Sequence, residues 1–157
     1  METVTEIVEE IRILIPERRM MDIYIVKASN QRHKWISGIF KEEKEVLNYI
    51  SSIPNDLKSD QIIIELPNTN YPFYIIEKEN EFDFIEVEEL LQRINGIETT
   101  EEENRVYFNV YVIETDFVPN KPGTDYMGII KHEHVTNDFI GWYKRKGNSF
   151  LIQRGIL

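Results

Sequence analysis

The sequence predicts an α+β fold: a single domain spanning residues 1–157, with a predominantly antiparallel sheet of about six to eight strands and about three helices. Three observations lead there. Strand-like segments come in hairpin pairs rather than in βαβα alternation. Short amphipathic stripes interrupt them at helical spacing. No linker or low-complexity stretch divides the 157 residues, a length that suits one domain with a core of its own.

Residues 3–15 open the chain with helical periodicity, Val4, Ile7, Val8, Ile11, Leu14 and Ile15 sharing one stripe before Pro16 ends it. Asp22–Lys27 is β-branched and aromatic and reads as a strand. A polar turn over Ser29–Lys34 leads to a second strand, Trp35–Phe40. Lys41–Ile50 reads as a helix with Val46, Leu47 and Ile50 inward, closed by Pro54-Asn55-Asp56. Gln61–Leu66 is a further strand. Phe73–Glu77 and Phe82–Ile85 pair as a hairpin around Lys78-Glu79-Asn80-Glu81. Glu86–Ile94 follows as a helix with Val87, Leu90, Leu91 and Ile94 on one side, stopped at Asn95-Gly96.

Glu98–Asn104 is an acidic loop. Arg105–Thr115 is the longest strand signal. Both of its faces lean apolar, Val106, Phe108, Val110 and Val112 against Tyr107, Asn109, Tyr111 and Ile113, which predicts a central strand. Asp116–Asp125 carries Pro119, Pro122 and Gly123 and must be a loop, of a length that often carries recognition. Tyr126–Val135 reads as extended. Phe139–Lys144 and Ser149–Arg154 read as a last hairpin around Arg145-Lys146-Gly147-Asn148. The helices are expected on one face of the sheet.

Charge is the sharpest functional signal. Between Glu77 and Asp116 there are thirteen acidic residues against three basic ones, which by itself equals the chain's net charge of −10. The part after Asp116 is mildly basic. Such a surface repels phosphate and attracts basic partners. A hydrophobic content of 41% excludes global disorder. The absence of cysteine excludes disulfides, thiolate metal sites and a cysteine nucleophile. The acidic start, Met-Glu-Thr-Val-Thr-Glu, does not read as a secretory signal, and the longest apolar runs are too short to span a bilayer. A cytoplasmic protein with no membrane partner is expected.

Few motifs carry chemistry. His132-Glu133-His134 puts two imidazoles on one face of a strand, where they could grip a metal with Asp125, Asp138 or Glu114 as third ligand. No third ligand stands at a diagnostic spacing, so His132 and His134 are expected to hold no metal. The clustered acids sit together in a polar loop, where two carboxylates have no reason to differ in pKa as acid–base catalysis requires. The serines lack the Gly-x-Ser-x-Gly elbow, and no phosphate-cradling glycine loop is present. Lys144-Arg145-Lys146 beside Trp142 and Tyr143 is a candidate for nucleic acid, but it reads better as a charged hairpin turn in a chain that repels phosphate. No cofactor and no nucleic-acid partner are expected.

In size, charge and architecture the chain resembles immunity proteins, antitoxins and phage inhibitors, which plug a basic active site and need no catalytic residues. The expected function is therefore a small acidic protein-binding module, not an enzyme. Glu98, Glu101, Glu102, Glu103, Glu114 and Asp116 would meet the basic partner, with Phe117 and Tyr126 as apolar anchors. The alternatives are a metal-dependent enzyme or metal-binding protein built on His132 and His134, and a small-molecule-binding domain.

Overall fold

The computed structural model describes residues 19–58, 60–71, 73–102, 105–113, 121–127 and 130–157. The helix expected over residues 3–15 lies outside them. Among the described residues there are seven strands: β1 (Arg19–Ser29), β2 (Lys34–Phe40), β3 (Gln61–Tyr71), β4 (Phe73–Lys78), β5 (Glu81–Glu86), β6 (Val106–Val112) and β7 (His132–Thr136). They divide between two antiparallel sheets, ordered β2-β1-β3 and β5-β4-β6-β7. Five helices are described: α1 (Glu43–Ser52), α2 (Asn55–Lys58), α3 (Val87–Asn95), α4 (Asn137–Lys146) and α5 (Asn148–Gln153). The fold is α+β.

Three apolar clusters show how the layers stack. Ile23, Ile25, Ile36 and Ile39 of the first sheet meet Phe73 and Ile75 of the second, so the sheets pack face to face over one shared core. The other face of the first sheet buries Val26 and Phe40 against Val46 and Tyr49 of α1. The other face of the second buries Tyr74, Ile76, Val110 and Val135 against α3, α4 and α5. Helices therefore cover the outer face of each sheet, not one face of a single sheet as expected. The strand count agrees with the sequence reading. The chain changes layer between β3, which ends at Tyr71 in the first sheet, and β4, which begins at Phe73 in the second.

Local chemistry explains most elements. Asn30 Oδ1 accepts from the amides of Arg32 and His33 at 2.8 and 2.9 Å, closing the β1–β2 turn. The β4–β5 hairpin turns through Glu79 and Asn80, both left-handed at φ 53° and 63°, the backbone of a two-residue type I′ turn. In α1 the buried residues are Val46 and Tyr49, continued by Ile53. Ile50 packs against this cluster as expected, while Leu47, also expected inward, is 51% exposed, because the inward stripe runs through 46, 49, 50 and 53 and leaves 47 off it. α3 buries the four expected residues and ends where expected. Gly96 stays right-handed at φ −84°, while the Asn95 side chain donates to Leu91 O at 2.8 Å.

β6 lies between β4 and β7, an interior position as expected. The last hairpin is corrected: residues 137–146 and 148–153 are helices. Thr136 caps α4 by accepting from Phe139 N at 3.2 Å, and Phe139, Ile140 and Tyr143 fall on one helical stripe. Gly147, at φ 61°, breaks the chain between the two helices. Of the segment expected to be extended from Tyr126, the described residues Tyr126, Met127, Ile130 and Lys131 are not in a strand, which begins at His132. Among the described residues, no helix is long and apolar enough to cross a membrane.

Candidate functional site

The acidic segment builds its described surface from two loops, the β4–β5 turn and residues 97–102. Between them runs an open groove of about 790 Å³. Ile76, Ile97, Tyr107 and Phe108 supply its apolar lining, and Glu79, Glu81, Asp83 and Glu98 its acidic rim. A smaller groove of about 340 Å³, with Glu77 and Glu102 among its lining residues, continues along β6.

The bases in this region are largely engaged. Arg93 reaches Asp83 at 2.8 Å and Glu89 at 2.9 Å, and the bond to Asp83 raises the guanidinium pKa further. Arg105 pairs with Glu102 at 3.1 Å and lies over the Tyr107 ring. Lys34 crosses from the other sheet to Glu81 at 2.8 Å, and this bond holds the Glu81 carboxyl below its ordinary value. Glu79, Glu98 and Glu101 are exposed and have no ion-pair partner among the described residues. In the groove's lining, Glu79 and Glu98 carry uncompensated negative charge, and Lys78, likewise without an ion-pair partner among the described residues, carries one positive charge.

The acidic loop is held in place by a closed ring of hydrogen bonds. Thr100 N donates to the Tyr107 hydroxyl at 2.9 Å. That hydroxyl donates to Asn137 Oδ1. Asn137 Nδ2 returns to Thr100 O at 2.7 Å and to Glu102 O at 3.3 Å. A side chain from the first turn of α4 and another from β6 thus fix the backbone between the acids. Nothing in the local sequence around Glu98–Glu102 signals this, since Asn137 is 37 residues beyond Thr100.

Of the residues expected to bind a partner, Glu98 lines the large groove, Glu102 lines the smaller one, and Glu101 stands exposed on the same loop. Glu103, Glu114, Asp116 and Phe117 lie outside the described residues. Tyr126 is corrected: it is 0% exposed and belongs to the core between the sheets, so it cannot be a surface anchor. Its backbone explains why, as Tyr126 N donates to Ile36 O at 2.7 Å along the outer edge of β2. Trp35 Nε1 also binds Gly123 O at 3.0 Å, and Gly123 N binds the Tyr49 hydroxyl at 2.8 Å. The described part of the proline-containing loop is thus fastened to the first sheet and to α1. The apolar residues sequence reasoning missed are Ile97, Tyr107 and Phe108, which line the groove.

His132 and His134 do share one strand face, with ring centroids 5.5 Å apart. His132 stacks on Tyr111 at 5.1 Å, and burial followed by the charges of Glu77 and Asp125 raises the Tyr111 pKa. His134 Nδ1 is hydrogen-bonded to Asn109 Oδ1. Asp125 is bound to Met127 N at 2.8 Å. Among the described residues, no three His, Asp or Glu side chains form a metal-holding group.

The basic run ends α4. Arg145 and Lys146 lie 5.0 and 5.1 Å from the centroid of the Trp142 ring, while Tyr143 is buried. Three cations in a last helical turn complement the helix dipole, and the Trp142 ring is already engaged by two of them. Comparison with protein-family models, with curated proteins and with solved structures finds no match to this chain.

Proposed function

We propose that the chain is a protein-binding module whose acidic groove receives a basic protein partner, in the manner of an immunity or antitoxin-type inhibitor. The observation that carries this reading is the ring of bonds through Tyr107 and Asn137. It holds an exposed acidic backbone in one conformation beside an apolar floor. A surface serving only to keep the chain dispersed needs charge but no fixed loop. A loop backbone ordered before binding saves the cost of ordering it on contact, roughly 1–2 kcal/mol for each residue fixed. Glu79 points the same way. A carboxylate side chain occupies a left-handed turn position that Asn or Gly fills at less cost, and it stands on the groove's rim.

In this reading Glu79, Glu98 and Glu101 steer the partner in, and Ile97 and Tyr107 receive an apolar side chain beside a Lys or Arg. The test begins with capture from the native host's lysate, wild type against Glu98→Lys/Glu101→Lys. Stopped-flow association with the purified captured protein follows. The on-rate should fall about tenfold in the variant at low salt, and the wild-type rate should fall as salt rises. A partner bound at the same rate by both proteins at low salt refutes the proposal.

A further inference from the structure

β3 ends its sheet, and among the described residues no strand pairs with its outer edge. The two halves of this 11-residue strand differ. Beyond Leu66 it is blunted: Pro67 lacks an amide proton, Asn68 turns left-handed at φ 51°, and Asn70 Nδ2 is bonded to Glu86 of β5 at 3.2 Å. Gln61–Leu66 has none of these devices. It carries one charge, Glu65, and three consecutive isoleucines, of which Ile62 is 57% and Ile63 42% exposed. Adjacent strand residues point to opposite faces, so apolar surface is bare on both faces of the same edge. Such an edge is a template for another strand.

We infer that this edge pairs antiparallel with the β3 of a second copy of the chain, joining two three-stranded sheets into one of six strands. The occupant follows from self-complementarity. A two-fold axis normal to the sheet keeps each face on its own side and offers every outward N–H and C=O its own image. Faces are preserved only in registers centred on a residue. Centred on Ile62, Gln61 opposes Ile63. Centred on Ile64, Ile63 opposes Glu65. Centred on Ile63, that residue meets its own copy and Ile62 meets Ile64, so apolar faces apolar, and Glu65 lies across from Gln61, whose side chain is turned inward to Ser37, rather than across from an isoleucine.

The absence of native cysteine gives a direct test. Paired residues in an antiparallel ladder have Cα atoms about 4.5 or 5.5 Å apart, and either spacing admits a disulfide. Ile63→Cys should oxidise to a covalent dimer, while Met20→Cys, on a residue 64% exposed, should not. Light scattering on the wild-type chain should show twice the 18.7 kDa monomer mass at high concentration. Ile63→Lys, which blunts the edge, should return that mass to the monomer with an unchanged circular dichroism melt. A wild-type monomer at every concentration up to hundreds of micromolar overturns the inference. So does equal cross-linking at positions 63 and 20, or a dimer that survives Ile63→Lys.

Discussion

Removing one oxygen atom tests how the 121–127 segment is attached. The Tyr49 hydroxyl donates to Ser37 O at 2.7 Å and accepts from Gly123 N at 2.8 Å, both bonds buried. Tyr49→Phe keeps the ring and its tilted contact with Phe40 at 5.1 Å, so packing is preserved. It strands one buried amide and leaves one carbonyl short of a bond. An orphaned buried polar group costs about 1–3 kcal/mol, and with partial relaxation the pair should cost about 2–4 kcal/mol. For a chain of this size that lowers Tm by about 5–15 °C. Urea unfolding followed by tryptophan fluorescence measures the loss, with m unchanged if only the native state is affected. A double-mutant cycle with Trp35→Phe should show coupling above about 0.5 kcal/mol, since both side chains grip the backbone of Gly123. A loss below about 0.5 kcal/mol would mean that Gly123 N finds another partner, and the picture of a loop pinned through Tyr49 would be wrong.

Asn137→Ala should speed amide exchange at Thr100, read by hydrogen-exchange NMR, with a stability loss of about 1–2 kcal/mol from the broken ring; unchanged exchange there would show the ring is idle. Glu79→Asn should raise stability by up to about 1 kcal/mol in thermal melts, because Asn tolerates the left-handed turn better, and should weaken the proposed partner's binding at the same time. Lys34 lowers the folded-state pKa of Glu81, so the pair's stabilisation is present above the ordinary glutamate pKa and is lost as pH falls through the lowered value. Glu81→Gln should therefore melt lower than wild type near neutral pH, and the two melts should converge in acid.

What could be read from the sequence was what depends on near neighbours. The β4–β5 hairpin, α3 and its end at Gly96, and the interior place of β6 all rest on alternation or a 3.6-residue stripe within a short window. The C-terminal helices were misread because Phe139-Ile140 and Trp142-Tyr143 are as rich in strand formers as in helix formers. What decides is the cap at Thr136 and the Gly147 break. Tyr126 was misplaced because its burial is set by a bond to Ile36, 90 residues away in the chain. The acidic rim could be read in composition. Its floor and its clamp could not, since Ile76, Phe108 and Asn137 come together only once β4, β6 and α4 have packed.

The bond from the Tyr74 hydroxyl to Ile156 O, 2.6 Å long, spans 82 residues and also orders events in time. On the ribosome, β4 emerges well before the residue it must meet. At roughly 5–20 residues per second the wait is about 4–16 s. The first sheet can pair its strands and pack α1 on one face during that interval, because these are complete by Tyr71, while its other face still awaits Phe73, Ile75, Ile113 and Tyr126. The second sheet cannot: Ile76, Ile85 and Val110 are covered partly by Phe139, Tyr143, Phe150 and Leu151, all still to be made. A nascent chain of this protein therefore exposes the apolar face of its second sheet until α4 and α5 are finished. Its demand for chaperone protection should be set by the pace of synthesis through residues 130–156 rather than by the stability of the finished fold.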